Sequence, residues 1–190
     1  MESKDKILII SGTDKPKTKV KALADYYQER LFELKRLECT ILCLNDLIFY
    51  EDIIDLEKEV FNRNPECYLQ IAKMVIEQHD KIIIISPEYN GSFSGALKKL
   101  IDDIPEYEIW KNKKVCLVGL SGGRAGNLRG MDHLTGILNH LKVNVHWNKL
   151  PISNASEIIK IVVKDPLYSI EIEKETVKLI DSQIEDFLIF

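Results

Sequence analysis

Five short apolar runs recur along the 190-residue chain, and they constrain the fold more than any other feature of its sequence. A short continuous apolar run between polar residues is typical of a strand that is covered on both faces of a sheet. Strands of this kind belong to parallel sheets, because helices then cover both faces. The five runs are Lys6–Ile10, Cys39–Leu44, Lys81–Ile85, Val115–Gly119 and Val143–His146.

Helical patterns separate the apolar runs, with apolar residues at three- and four-residue spacing. The alternation of strand and helix requires right-handed crossovers between parallel strands. We therefore predict one α/β domain over residues 1–190, a three-layer sandwich in which a five-stranded parallel sheet of order 2-1-3-4-5 lies between helices. The clearest helical patterns cover Val20–Leu34, Ile71–Gln78, Met131–Leu141 and Val177–Phe187.

The composition is that of an ordinary globular protein, with 45% apolar and 29% charged residues. The net charge of −4 argues against nucleic acid or an anionic membrane as the main partner. The sequence shows neither a signal-peptide pattern nor an apolar run that would span a membrane, so we expect a cytoplasmic location. The cysteines have no Cys-x-x-Cys spacing, which predicts reduced thiols and no zinc site. They are Cys39, Cys43, Cys67 and Cys116.

The stretch from Asn45 to Pro65 mixes aromatic and acidic residues without a clear period. It is either a long loop or a short helix laid over the rim of the sheet. Long loops in compact domains often carry function.

The loop after the first run has the composition of a phosphate-binding loop. In the strand order 2-1-3-4-5, ligands bind beyond the carboxyl ends of the strands, where the first and third strands meet. Gly12 permits a tight turn, Thr13 and Thr18 supply hydroxyl groups, and Lys15, Lys17 and Lys19 supply positive charge. The next helix points the positive end of its dipole at this loop. The alternative is a solvated basic loop in which Thr18 only caps the helix.

The loop after the third run, in the stretch SPEYNGSFSGALKKLIDD, offers a different surface. Pro87 restrains the chain, Tyr89 supplies an aromatic ring, and Asn90-Gly91 suits a turn with positive φ angles. Either Ser92 or Ser94 is able to cap the next helix. A flat heteroaromatic ring rich in oxygen and nitrogen is a natural partner for such a turn. The alternative is a capped strand-to-helix turn with Tyr89 partly exposed.

A third loop, Leu120–Gly130, follows the fourth run and contains several glycines. Glycines at this density indicate a close approach of the backbone to another group. Arg124 is a candidate partner for the phosphate of a dinucleotide or for an acidic group of a neighbouring subunit. Otherwise the glycines only form a turn before a helix that starts near Leu128, with Arg124 and Arg129 solvated.

Taken together, the three loops resemble the NADPH-dependent FMN reductase family. SPEYNGSFSGALKKLIDD is similar to its signature loop, and SGTDKPKTKV resembles its phosphate loop. GGRAGNLRGMDHLTGILNHL is similar to the third loop and following helix of one branch of the family. The resemblance extends from about Lys6 to Pro151, with the motifs in the family's order and spacing.

The resemblance implies a flavodoxin-like fold that holds FMN without a covalent bond and takes a hydride from NADPH or NADH. It also implies a homodimer or homotetramer with the flavin near a subunit interface. Its phosphate-binding residues would be Gly12, Thr13, Lys15, Thr18 and Lys19. The isoalloxazine ring would lie along Pro87, Glu88, Tyr89, Asn90, Gly91 and Ser92. The far side of the ring would be completed by Ser121, Gly122, Gly123 and Arg124.

No residue pattern points to a protein acid, base or nucleophile, because the histidines are dispersed and none has a nucleophile or carboxylate motif beside it. The hypothesis is therefore a flavin-mediated oxidoreductase whose acceptor is a small molecule such as a free flavin, a quinone, an azo compound or a metal oxyanion. Two alternatives remain, an FMN-binding electron carrier without NAD(P)H turnover and a flavin-free interaction protein. The histidines are His79, His133, His140 and His146.

Overall fold

The computed structural model describes residues 6–16, 18–46, 66–164 and 167–190, and it contains the predicted parallel sheet. Its strand order is β2-β1-β3-β4-β5, which confirms the predicted order and the flavodoxin-like architecture. The strands are β1 (Ile7–Ser11), β2 (Cys39–Cys43), β3 (Lys81–Pro87), β4 (Lys114–Leu120) and β5 (Asn144–Val145). The helices are α1 (Lys19–Lys35), α2 (Glu66–Glu77), α3 (Gly95–Asp103), α4 (Tyr107–Trp110), α5 (Leu128–His140), α6 (Ala155–Ile158) and α7 (Lys174–Ile189).

The two faces of the sheet are both buried, as continuous apolar strands require. Successive residues of a strand point to opposite faces, so Leu8 and Ile10 lie in one core while Ile7 and Ile9 lie in the other. The first core is closed by α2, α3, α4 and α5, and the second by α1 and α7. Helices therefore cover both faces, as predicted.

The fifth strand is in the predicted place but is shorter than predicted. Val143–His146 was expected, whereas β5 covers only Asn144–Val145, which pair with Lys114 and Val115 of β4. A further strand, β6 (Leu150–Ile152), pairs with Val118–Leu120 at the other end of β4. Because β3 pairs with one edge of β4 along its whole length, β5 and β6 both pair with the other edge of β4, one after the other.

An antiparallel hairpin follows β6 and was not predicted. It consists of β7 (Ile159–Lys164) and β8 (Leu167–Ile172), which form a separate two-stranded sheet. The hairpin packs against α1, where the Tyr168 hydroxyl bonds to the carboxylate of Asp25. It adds to the second core beside α1 and lies outside the parallel sheet.

Some of the sequence predictions concern residues that the structure does not describe. The stretch predicted as a long loop or short helix falls almost wholly on residues 47–65, which lie outside the described residues, as do Lys17 and the side chain of Cys67. Cys39, Cys43 and Cys116 are free thiols. In the part of the chain that is described, no helix is long and apolar enough to cross a membrane, and no group of His, Cys, Asp and Glu side chains is arranged to hold a metal ion.

Candidate functional site

The carboxyl ends of β1, β3 and β4 bring three loops to one edge of the sheet. Ser11 pairs with Ile85, and Pro87 pairs with Leu120, so these strands end at neighbouring positions. The loops that follow are called here the β1 loop (residues 12–18), the β3 loop (residues 88–94) and the β4 loop (residues 121–127). This is the edge at which ligands bind in the fold.

Gly12 fixes the β1 loop against β3 and α3. Its N–H donates to the carbonyl of Ile85 at 2.9 Å, and its carbonyl accepts the hydroxyl of Ser94 at 2.6 Å. A Cβ placed on Gly12 would lie 2.6 Å from Leu97 Cδ1 and 2.8 Å from the Ile85 carbonyl oxygen. The loop therefore requires glycine at this position. Ser94 also caps α3, as one of the two predicted serines, by accepting the N–H of Leu97 at 3.2 Å.

Thr13 joins the β1 loop to the β3 loop. Its hydroxyl oxygen is 2.7 Å from the phenolic oxygen of Tyr89, and it accepts the N–H of Lys15 at 3.2 Å. The Lys15 ammonium lies 4.7 Å from the centre of the Tyr89 ring, a cation–π distance. The structure thus brings together Thr13, Lys15 and Tyr89, which the sequence had assigned to opposite ends of one ligand.

The N-terminus of α1 faces the same region. Thr18 caps the helix by accepting the N–H of Lys21 at 3.4 Å. The N–H groups of Lys19 and Val20 have no acceptor among the described residues, as is usual in the first turn of a helix. The ammonium of Lys19 donates to the carbonyl of Ala155 at 3.0 Å, so this side chain contacts α6. The hydroxyl of Ser11, at the end of β1, is buried without a partner.

The β3 loop turns sharply at Asn90 and Gly91, whose φ angles are 52° and 76°. Two positive φ angles define the mirror-image turn that Asn-Gly favours. Within this turn the N–H of Tyr89 bonds to the carbonyl of Ser92 at 2.8 Å, and the N–H of Ser92 bonds to the carbonyl of Tyr89 at 3.1 Å. The N–H groups of Tyr89 and Ser92 are therefore hydrogen-bonded within the turn. The N–H groups of Asn90 and Gly91 remain without an acceptor in the described part of the chain.

Asn127 ties the β4 loop to the β3 loop, and sequence analysis missed it. It is fully buried, with a left-handed backbone at φ 61°. Its side-chain amide donates to the carbonyls of Ser86 and Pro87, both at 3.0 Å. Its backbone N–H donates to the carboxylate of Glu88 at 3.1 Å. Glu88 therefore uses its side chain to hold the loops together, while its own N–H donates to the carbonyl of Leu120 at 2.8 Å.

The glycines of the β4 loop have two different surroundings. A Cβ on Gly126 would lie 2.7 Å from the Cβ of Pro151, so the close approach expected in this loop occurs within the chain. Gly122 and Gly123 are exposed, and nothing lies within 4 Å of a Cβ placed on either. Ser121 stabilises the loop by donating to the Gly123 carbonyl at 2.7 Å and accepting the Gly126 N–H at 2.9 Å.

Arg124 is exposed, and the contact that fixes it is made by its backbone. Its carbonyl accepts a hydrogen bond from the hydroxyl of Ser153 at 2.7 Å. The carbonyl of the preceding residue, Gly123, accepts the N–H of Asn154 at 2.9 Å. The guanidinium is left at the surface of the site edge.

Two side chains of α5 reach the β3 loop. The Nδ1 atom of His133 is 2.9 Å from the hydroxyl oxygen of Ser92, whereas the sequence predicted packing or solvation for this histidine. The Nη1 atom of Arg129 lies 3.2 Å from the position of a Cβ on Gly91. Their four-residue spacing places both side chains on one face of a helix, and that spacing is the signal by which sequence alone would have grouped them.

The residues of this edge fit a phosphorylated, flat ligand. Near α1, free first-turn N–H groups offer hydrogen bonds to an anionic group. Near the β3 loop, the free N–H groups of Asn90 and Gly91 offer donors to the polar edge of a ring. The Thr13–Tyr89 contact places these two sets of donors side by side.

The fold and the position of these loops define a flavodoxin-like protein with its site at the switch point of the sheet. The model of the NADPH-dependent FMN reductase family matches residues 6–157, and the chain belongs to that family of oxidoreductases.

Individual relatives agree with this assignment. The chain is similar to the FMN-dependent NADPH-azoreductase of Staphylococcus saprophyticus, with 31% identity over 137 residues, covering 70% of this chain and 69% of the relative. It is 25% identical over 150 residues to the NADPH azoreductase of Bacillus sp. strain OY1-2, covering 77% and 73% of the two chains. The flavoenzyme NAD(P)H:(acceptor) oxidoreductase FerB from Paracoccus denitrificans has the same fold, with a TM-score of 0.72, 23% identity, and coverage of 97% and 96%.

Proposed function

We propose that the chain is an FMN-dependent NAD(P)H oxidoreductase that passes electrons from NADPH or NADH to a small acceptor. The family assignment supports the cofactor and the donor. The names of the relatives support a small-molecule acceptor of the azo class for those proteins. For this chain the acceptor is a free flavin, a quinone, an azo compound or a metal oxyanion.

The observation that carries the proposal is the 2.7 Å contact between Thr13 and Tyr89. It joins the loop with phosphate-binding character to the loop with ring-binding character, so one ligand with a phosphate and a ring is able to contact both. FMN is such a ligand. A free phosphate would use only the β1 loop, and a plain heterocycle would use only the β3 loop.

The protein's part in the reaction is to bind and orient. FMN, when bound, supplies the redox chemistry by taking a hydride from the nicotinamide and giving the electrons to the acceptor. The first turn of α1 and Thr18 would hold the phosphate end, and the N–H groups of Asn90 and Gly91 would hold the polar edge of the ring. Asn127 fixes the β3 loop from behind through the carbonyls of Ser86 and Pro87.

Equilibrium binding tests this assignment directly. Wild-type protein is titrated into FMN while flavin fluorescence is followed, and the variant carrying both Thr13→Ala and Thr18→Ala is compared with it. Each lost hydroxyl costs about 0.5–1.5 kcal/mol, so the double variant should bind FMN roughly ten- to a hundredfold more weakly. Thr135→Ala serves as the matched control, because its hydroxyl bonds to the Met131 carbonyl within α5. Equal affinity of all three proteins would contradict the phosphate assignment.

The proposal extends to assembly and location. We expect a homodimer or homotetramer, as the resemblance to the family implies. Light scattering after size-exclusion chromatography measures the assembly, and a monomer at micromolar concentration would contradict it. A reaction that consumes NAD(P)H also agrees with the cytoplasmic location expected from the sequence.

A further inference from the structure

Arg129 lies directly over the turn of the β3 loop. Its Nη1 atom is 3.2 Å from the position of a Cβ on Gly91, which is the second residue of the turn. The N–H groups of Asn90 and Gly91 have no acceptor among the described residues. The guanidinium therefore lies beside a turn with two free N–H groups, at the place where the proposed function puts the polar edge of the flavin.

None of the residues that the structure describes neutralises the charge of Arg129. Arg129 makes no ion pair with any of them. The carboxylates near it in sequence or space are already engaged, since Asp132 pairs with Lys149 at 2.7 Å and Glu88 accepts the N–H of Asn127. The cation at this turn is thus available to a ligand.

Arg129 does not stabilise α5 either. It lies in the first turn of α5, and that turn contains no acidic residue. A positive side chain near a helix N-terminus is unfavourable, because it meets the positive end of the helix dipole. Arg129 is also exposed, so it does not fill the core.

We infer that Arg129 stabilises the negative charge that FMN gains on reduction, and that it thereby raises the reduction potential of the bound flavin. This inference rests on the proposed function. Hydride transfer from NAD(P)H brings two electrons and one proton and releases NAD(P)⁺, so the ring gains one negative charge until a second proton arrives. A cation over the polar edge of the ring favours that state relative to the oxidised state. The acceptor would then take up the two electrons together with the proton, which returns the ring to its oxidised, uncharged state.

The test measures binding of FMN in both redox states. The dissociation constants of oxidised and reduced FMN, and the midpoint potential of the bound flavin, are determined for wild type, Arg129→Gln and Arg129→Lys. Lys178→Gln on α7 is the matched control, since it also removes one exposed positive charge, and Lys178 pairs with Glu175 on the same helix. For Arg129→Gln we expect reduced FMN to bind about tenfold more weakly relative to oxidised FMN, which for a two-electron couple equals a potential lower by about 30 mV. Arg129→Lys keeps the positive charge, so the midpoint potential of its bound flavin should stay close to that of wild type. Lys178→Gln should have the same midpoint potential as wild type.

Other outcomes separate the inference from the function on which it rests. If Arg129→Gln weakens both redox states equally, or neither, Arg129 does not distinguish them and the inference is wrong. If the potential is unchanged but KM rises for NADPH and not for NADH, Arg129 instead meets the 2′-phosphate of the donor, and the inference is also wrong. If the wild-type protein binds no FMN, the proposed function itself fails.

Discussion

The hydroxyl oxygens of Thr13 and Tyr89 lie 2.7 Å apart and join two loops that are separated by 76 positions in the sequence. Thr13 is buried, and its oxygen also accepts the N–H of Lys15, so the position of Tyr89 is set by the backbone of the β1 loop. Lys15 in turn lies over the Tyr89 ring. The two halves of the proposed FMN site are thereby coupled through one hydrogen bond and one cation–π contact.

This coupling predicts non-additive effects on FMN affinity. Tyr89→Phe and Thr13→Val should each weaken FMN binding by about two- to tenfold, the value of one hydrogen bond. The double variant should lose little more than either single one, with a coupling energy of about 1 kcal/mol. Fluorescence titration of the four proteins measures this cycle. Strictly additive losses would show that the loops bind FMN independently.

Removal of the Asn127 side chain should destabilise the protein. Asn127→Ala leaves the carbonyls of Ser86 and Pro87 without their donor, and it also places alanine at a φ of 61°. We expect a loss of about 2–4 kcal/mol in the free energy of unfolding, measured with urea. Asn127→Gly, which tolerates the left-handed backbone, should lose less, and the difference isolates the backbone contribution. Equal stability of Asn127→Ala and wild type would contradict the role of this residue.

Two glycines of the β4–α5 region should respond in opposite directions to alanine. A Cβ on Gly119 would lie 2.2 Å from the carbonyl oxygen of Gly126, so Gly119→Ala should cost about 3 kcal/mol or prevent folding. Gly136 lies within α5 and has open space around a Cβ, so Gly136→Ala should stabilise by roughly 0.5–1 kcal/mol. Thermal unfolding of both variants measures the contrast. A stable Gly119→Ala protein would mean that β4 and the β4 loop are less closely packed than described.

His146 should make the protein less stable in mild acid. It is buried among the rings of Trp147, Phe187 and Phe190, and its Nδ1 has no partner. Burial lowers the pKa of His146 below its ordinary value of 6.5, although a backbone hydrogen bond at Asn148 and the carboxylate of Asp186 oppose this. Above pH 6.5 both folded and unfolded chains carry a neutral imidazole, so this residue adds no pH dependence there. As the pH falls below 6.5 the unfolded chain takes up the proton first, and stability decreases by at most about 1.4 kcal/mol per pH unit.

The measurement for His146 compares urea midpoints at pH 7.5 and 5.5 in wild type and His146→Leu. The urea midpoint of the variant should fall less between pH 7.5 and pH 5.5 than that of the wild type. The same loss in both proteins would show that other groups are responsible for the pH dependence.

The parallel sheet could be predicted because its strands are continuous apolar runs whose side chains enter two cores. The same argument failed at the edge, where β5 and β6 are short and Trp147 between them is exposed. The β7–β8 hairpin also had a local signal, since β-branched residues lie on both sides of Asp165-Pro166. The predicted fold alternates parallel strands with helices and contains no antiparallel pair, so this local pattern did not lead to a predicted hairpin.

The candidate site could be predicted only where local chemistry reveals it. The φ angles of Asn90 and Gly91, the cap at Thr18 and the cap at Ser94 follow from residue preferences at turns and helix ends. Asn127 could not be recognised, because an asparagine in a glycine-rich loop looks like an ordinary turn residue. Its role depends on a contact with Ser86, which is 41 positions away.

The proposed function requires that this chain binds FMN and that NADPH or NADH reduces the bound flavin. The most direct measurement is the visible spectrum of protein that has been loaded with FMN and dialysed, recorded before and after anaerobic addition of NADPH or NADH, with free FMN as the control. We expect a bound-flavin spectrum that bleaches much faster than that of free FMN and returns when a quinone is added. Protein that retains FMN but does not bleach with either nucleotide would be an electron carrier, and protein that retains no flavin would contradict the proposed function altogether.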